Sequence, residues 1–166
     1  MDLIAEEVLC EQRLVELGQV APQLAGATWR SHLPETVERE LAAVEQADIL
    51  VVTTPVFRGS YTGLFKHFFD FFDQDALIDK PVLLAATGGS ERHALMIDHQ
   101  LRPLFSFFQA RTLPLGVYAT DKDFTDYRLQ DEALLQRATL AVQRALPLIG
   151  LTRHARSAVA EELVAA

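Results

Sequence analysis

Residues 49–69 read ILVVTTPVFRGSYTGLFKHFF. Ile49 to Val52 is a continuous apolar run, as expected for a strand covered on both faces. From Leu64 onward apolar side chains recur at helical spacing. Leu64, Phe68, Phe71 and Phe72 make one stripe, and Phe65 and Phe69 widen it. Between strand and helix lies Pro55-Val56-Phe57-Arg58-Gly59-Ser60-Tyr61-Thr62-Gly63. This connection has two glycines, three hydroxyls and two aromatic rings, but no obvious acid, base or metal ligand. A buried strand that feeds such a loop and then a helix is a unit of an α/β sheet.

Working outward, the same alternation repeats. Asp2 to Glu11 reads as a helix, Arg13 to Leu17 as a short strand, and the stretch with Gly18, Pro22 and Gly26 as a loop. Pro34 and Glu35 suit a helix start, and that helix runs to about Gln46. Pro81 to Thr87 is a second buried strand, ending in Gly88-Gly89-Ser90. A helix over Glu91 to Phe108, a strand over Thr112 to Tyr118, an exposed loop over Asp121 to Tyr127 and a helix over Gln130 to Ile149 complete the pattern. The order predicts a parallel sheet with right-handed crossovers, a domain over residues 1–150 and a tail over 151–166.

The chain has 166 residues and a formal net charge of −8. The length is enough for one domain with a real core. The acidic balance argues against a nucleic-acid reader. No apolar run approaches the length of a membrane span, no signal-peptide pattern stands at the start, and a cytoplasmic address is the expectation. Cys10 is the only cysteine, so an intrachain disulfide is excluded; its helical pattern reads as a small core residue.

In an open α/β sheet, ligands sit beyond the carboxyl ends of the strands. Two loops fall there: Pro55, Val56, Phe57, Arg58, Gly59, Ser60 and Tyr61 after one strand, and Thr87, Gly88, Gly89 and Ser90 after the next. Glycines let backbone N–H groups approach a flat or anionic ligand. Hydroxyls offer hydrogen bonds, and Phe57 and Tyr61 offer ring faces. Ordinary strand-to-helix turns also use Gly and Ser, but two such loops on successive strands favour a planar, polar-edged heterocycle. His93 follows in the first turn of the next helix, as a ligand contact or a surface histidine. Arg58 is either a ligand contact or a solvated loop residue. Pro103 removes the hydrogen bond to the carbonyl of His99, so a bend or π-bulge is expected there. His93 and His99 lack companions at metal-ligand spacing, and no metal is expected.

The Phe-rich helix is too apolar to hide wholly against one sheet face. A second subunit is therefore expected on Phe65, Phe68, Phe69 and Phe72, with His99 nearby, in a homodimer or homotetramer.

The blocks PVFRGSYTGLFKHFFD (Pro55 to Asp70) and LLAATGGSERHALMIDHQLRPLFSFFQA (Leu83 to Ala110), continued by LPLGVYATDKDFTDYRL, resemble the flavodoxin-like NADPH- or NADH-dependent FMN reductases. The likeness is greatest to the reductases of two-component sulfonate monooxygenases, the methanesulfonate branch above all. It spans roughly Leu41 to Leu129. The resemblance implies a doubly wound, three-layer parallel sheet with FMN and NADH or NADPH as cofactors. It places the loop from Pro55 to Tyr61 along the isoalloxazine ring and the turn from Thr87 to Ser90 at the pyrimidine side. No side chain acts as nucleophile or base; the cofactor does the chemistry. A flavin-dependent monooxygenase is the implied partner. In the sulfonate-linked reductases the helix carrying His99 is similar to one with a π-type insertion near the oligomer interface, where a tyrosine often stands.

The family begins with a strand and a Gly/Ser/Arg/Thr-rich loop around the FMN phosphate. Here Met1-Asp2-Leu3-Ile4 already matches the first helix, so about 20 residues are missing by ordinary element lengths. The missing strand would be central, and its loss predicts either a gap between two strands or repacking around it. A truncated start is favoured, weaker FMN binding follows, and no residue is named for the phosphate. Two other readings stay open: a quinone or azo reductase that holds FMN permanently, and a non-catalytic flavodoxin-like subunit.

Overall fold

A computed structural model describes the backbone of residues 1–164 and side chains through residue 148. Strands β1 (Leu50–Pro55) and β2 (Pro81–Gly88) pair in parallel, from Leu50 opposite Val82 to Pro55 opposite Thr87. The other edge of β2 takes two short parallel strands in succession. These are β3 (Arg111–Thr112) beside Pro81 and Val82, and β4 (Val117–Thr120) beside Ala85 to Gly88. The single strand expected over Thr112 to Tyr118 is thus broken at residues 113–116, where Pro114 has no N–H to give a ladder. A small hairpin, β5 (Phe124–Thr125) with β6 (Arg128–Leu129), stands in the expected exposed loop.

Helices cover both faces of the sheet, as continuous apolar strands require. Leu50 and Val52 of β1 and Val82, Leu84 and Ala86 of β2 face one core. Four helices fill it: α2 (Leu17–Leu24), α3 (Glu35–Gln46), α4 (Gly63–Phe69) and α5 (Arg102–Phe107). The opposite core joins Leu83 and Leu113 to Ile4 of α1 (Asp2–Ala5) and to Ala141, Val142 and Ala145 of α6 (Glu132–Val164). The result is the expected three-layer α/β arrangement. The helix α6 runs through the expected tail to Val164, and residues 165 and 166 lie outside the described residues. Among the described residues no helix is long and apolar enough to cross a membrane.

The first third departs from the sequence reading. The first helix ends at Ala5 rather than Glu11, and Arg13 to Leu17 forms no strand. A strand is held by its ladder, and the outer edge of β1 has no ladder partner among the described residues. Instead a cleft of about 840 Å³ lies along Leu50–Thr53, with residues 10–15 on its other side. The cleft is bordered by one strand, β1, and does not lie between two strands, so the expected gap between two strands is not what is found. The expected loop at 18–26 is mostly helix α2, because Val20 and Leu24, four apart, are buried. Gly26, at φ +76°, lies just beyond its end.

The subunit interface expected on Phe65, Phe68, Phe69 and Phe72 is a correction. All four are buried within this chain, at 3%, 2%, 5% and 7% exposure. The helix α4 packs not against one sheet face alone but also against α2 and α5. Phe69 meets Phe105 edge-on at 5.0 Å, and Phe68 and Phe72 meet at 5.4 Å. The His67 ring nitrogen lies 3.2 Å from the Leu24 carbonyl and fastens α4 to α2. By contrast, His99 is exposed.

Candidate functional site

The carboxyl ends of β1, β2 and β4 converge on the two loops singled out above. After Pro55 the chain makes a tight reversal. The Phe57 N–H donates to the Ser60 carbonyl at 2.9 Å, and the Ser60 N–H returns to the Phe57 carbonyl at 3.2 Å. Arg58 at φ 54° and Gly59 at φ 85° occupy the two central positions, the geometry of a type I′ turn. Gly59 takes it freely, whereas Arg58 is held in a left-handed conformation uncommon for a side chain of its size. Phe57 is 64% exposed beside this turn. Tyr61 is half-buried, its ring 5.6 Å from that of Phe65. Thr62 caps α4, its hydroxyl accepting from the Phe65 N–H at 3.0 Å.

The second loop lies beside the first. The Val56 N–H donates to the Thr87 carbonyl at 2.7 Å and extends the β1–β2 ladder past Pro55. Gly88 faces Tyr118 of β4 and Val56. A Cβ built on it would stand 2.3 Å from the Tyr118 hydroxyl and 3.4 Å from the Val56 Cβ. The Tyr118 hydroxyl donates to the Ser90 carbonyl at 2.8 Å. Ser90 is extended and precedes the 3₁₀ turn Glu91–His93. The N–H groups of Gly89 and Ser90 have no acceptor among the described residues. Backbone donors of this kind beside an exposed ring suit the edge and face of a flat, polar-edged ligand.

The surroundings are charged but not basic. Lys122 bonds Glu91 at 2.5 Å, tying the start of the 3₁₀ turn to the turn after β4 and pushing the lysine pKa up. Asp123 accepts from the Thr120 N–H at 2.6 Å and from its hydroxyl at 2.9 Å, which holds its carboxyl below the usual range. Burial, and then the nearby Asp121 carboxylate, push the Tyr118 phenol up, so it keeps its proton.

Of the residues expected from sequence, Pro55 and Val56 are joined directly to Thr87 and Gly88. Phe57, Arg58, Gly59, Ser60 and Tyr61 form the reversal beside them. Gly89 and Ser90 turn away from β2, and His93 is exposed one turn on, without a bond to the first loop. The expected π-type turn is present: residues Ile97–Leu101 are π-helical, and the Arg102 N–H reaches back to the Ile97 carbonyl. Gln100 in that turn accepts from the Ser60 hydroxyl at 3.2 Å, so the π-turn touches the first loop. Sequence reading passed over Gln100, Tyr118 and Asp121. For Tyr118 a signal existed, a lone tyrosine with a polar tip in an otherwise apolar strand.

Residues 1–125 match the family model of NADPH-dependent FMN reductases. The chain is 61% identical over 147 residues to the NADH-dependent FMN reductase SfnE of Pseudomonas putida, covering 89% of this chain and 79% of that protein. It is 53% identical over 147 residues to a protein named FMN reductase (NADPH) from Pseudomonas aeruginosa, with the same two shares. Among solved structures, an oxidoreductase from Corynebacterium diphtheriae superposes with a TM-score of 0.78 at 36% identity, over 89% of this chain and 81% of that one. An NADH:FMN oxidoreductase in its apo form shares the fold, with a TM-score of 0.71 at 24% identity, over 86% of this chain and 74% of that one.

Proposed function

This chain belongs to the NADPH-dependent FMN reductase family, and from that premise we propose a two-component flavin reductase whose product serves a flavin-dependent monooxygenase acting on a sulfonate or sulfone. It is an oxidoreductase of flavodoxin-like fold that uses FMN and a reduced nicotinamide nucleotide. The monooxygenase partner rests on the sequence likeness of Pro55 to Asp70 and Leu83 to Ala110 to the sulfonate-linked branch.

The observation that carries the site is the joined pair of loops. Val56 bonds Thr87, Gly88 leaves backbone where a side chain would be, and the Gly89 and Ser90 N–H groups have no acceptor among the described residues. These features fit a flavin ring. Bound FMN would supply the redox chemistry, accepting at N5 the hydride of nicotinamide C4. The chain's own residues bind and orient. Pro55 to Tyr61 lie along the ring face, with Phe57 and Tyr61 offering aromatic surface. In the turn from Thr87 to Ser90, the Gly89 and Ser90 N–H groups would be the donors to the ring edge, and His93 would border it. No side chain here is asked to move a proton, so the rate advantage comes from positioning and exclusion of water.

Residues 1–150 would form the catalytic domain, and a cytoplasmic address belongs with the use of reduced nicotinamide. A homodimer or homotetramer remains part of the proposal, on a different surface from the buried phenylalanines. Leu95 and Phe107, at 63% and 59% exposure, lie on the same helical segment as exposed His99. Sedimentation of the purified protein tests this, and a monomer at micromolar concentration overturns it.

The assay for function follows NADH and NADPH oxidation at increasing free FMN. Expected are FMN-dependent turnover that saturates in FMN and a preference for NADH. Purified protein that oxidises neither nucleotide with FMN present would refute the reading. Flavin that co-purifies tightly, with turnover of quinones or azo dyes, would favour a permanently flavinated reductase instead.

A further inference from the structure

We propose that Tyr118 is a positioning residue for the flavin turn: its hydroxyl both closes the space beside Gly88 and holds the Ser90 carbonyl, so that one side chain of β4 sets the path of residues 88–90. The proposal rests on the reading of the two loops as the flavin site and deepens it.

Three observations meet at this point. First, the Gly88 Cα lies against Tyr118 so closely that a Cβ would fall 2.3 Å from the hydroxyl oxygen and 3.3 Å from Cζ. Real Cβ atoms do not approach that near, so no other residue fits without moving the tyrosine. Second, the same hydroxyl donates to the Ser90 carbonyl at 2.8 Å. The one oxygen therefore touches the turn at its first and last positions. Third, Val56 stands on the other side of Gly88, with its Cβ 3.4 Å from the same built Cβ, and its N–H bonds Thr87. Gly88 is gripped between a residue of the first loop and a residue of β4.

The grip has a chemical consequence. A peptide whose carbonyl is turned to Tyr118 is fixed in orientation, because the peptide unit is planar. Holding the Ser90 carbonyl fixes the Ser90–Glu91 peptide and so limits the paths open to the turn that carries the Gly89 and Ser90 N–H groups. A turn fixed in this way binds a ligand without first having to order itself. One oxygen has both duties: the hydroxyl bars a side chain at 88, at 2.3 Å from a built Cβ, and orients 90 through its bond to the Ser90 carbonyl. Burial and Asp121 keep the phenol protonated and so a donor.

The test is a double-mutant cycle on the full chain with Tyr118→Phe and Gly88→Ala. Tyr118→Phe keeps the ring and loses the hydroxyl. It is expected to raise the KM for FMN about fivefold, the size of one net hydrogen bond. Expected kcat stays within about twofold and the nicotinamide KM unmoved, since the turn binds and does not react. Gly88→Ala is expected to raise the FMN KM more than about tenfold in the wild-type background. In the Tyr118→Phe background the extra effect should be several-fold smaller, because the nearest clashing atom is gone. Additive effects of the two substitutions overturn the proposal. So does a Tyr118→Phe variant that melts lower while all kinetic constants shift together, the mark of a merely structural side chain. Wild-type turnover in the same assay tests the reading of the site separately. The cycle is also read in melting temperature, which needs no flavin: Gly88→Ala should destabilise the wild type more than the Tyr118→Phe variant, and equal losses would sink the clamp on their own.

Discussion

The two long sides of the β1–β2 pair differ in how the chain closes them. Beyond β2, the ladder continues into β3 and β4, and the break between them is held from two helices. Arg102 of α5 donates to the Leu113 carbonyl at 3.0 Å, and Arg137 of α6 donates to the Gly116 carbonyl at 2.9 Å. Beyond β1 there is a cleft of about 840 Å³, and residues 10–15 across it make no backbone–backbone hydrogen bond among the described residues. Leu14 there is 72% exposed, and the neighbouring Leu9 is 95% exposed. The contacts of Tyr118 with Gly88 and Ser90 sit on the closed side. The first loop, which continues β1, is ordered through its bond to β2 and through Gln100, not from its outer side. A strand with one open edge has few partners to resist opening, whereas a strand paired on both edges opens only with the whole core.

The sharpest way to break this contrast is to shorten a leucine on each side. Leu84 of β2 is wholly buried, and Leu84→Ala is expected to destabilise by about 3 kcal/mol. Leu50 lines the cleft, where a void already exists, and Leu50→Ala should cost about half as much. Equal losses in urea unfolding would mean that the cleft is closed in solution. Next in size is an anchor of the open side. Lys80, 4% exposed, gives Nζ hydrogen bonds to the carbonyls of Glu45 and Ala47 at the end of α3, at 3.0 and 2.5 Å. A cation at a helix C-terminus is favourable, and Lys80→Met strands those carbonyls. The expected loss is about 2 kcal/mol, and a melting temperature unchanged by the substitution would show that the end of α3 is held by other means. A smaller effect concerns the cleft wall. Cys10, the chain's only thiol, lines it half-buried, so a thiol reagent should label the native protein without denaturant. Labelling only after unfolding would place Cys10 in a closed core.

How much of this was legible in the sequence follows the same division. The apolar runs of β1 and β2 were legible because they are short, carry β-branched residues and end in Pro- or Gly-bearing turns, which together favour a doubly covered strand over a buried helix. The π-turn at Ile97–Leu101 was legible because Pro103 removes a donor at a fixed distance. Residues 2–26 were not, because a strand exists only with its neighbour, and Arg13 to Leu17 has none among the described residues. The phenylalanines of α4 misled for a related reason. Their burial depends on α2 and α5 arriving on the same side, which periodicity within α4 does not state. At the site, both loops were legible by composition. Tyr118 showed only as a lone tyrosine in its strand; that it requires glycine at 88 was not legible, since the two stand 30 positions apart.

The mildest expected effect lies just past β4 and gives the closed side a pH signature. Asp123 accepts two hydrogen bonds from Thr120, first from its N–H and then from its hydroxyl, and its pKa is lowered. A carboxyl with a depressed folded-state pKa stabilises the fold above its unfolded value, about 3.9. That contribution fades as pH falls through the lower folded value. The melting temperature should therefore decline below about pH 4. Glu38, whose pKa is lowered by its hydrogen bond to Arg30, adds to the same decline. The difference between wild type and Asp123→Asn isolates the Asp123 part. The variant should melt slightly lower at neutral pH and converge with the wild type in acid. A constant gap at all pH values would mean that the Asp123 charge contributes nothing, and that the turn after β4 is held by packing alone.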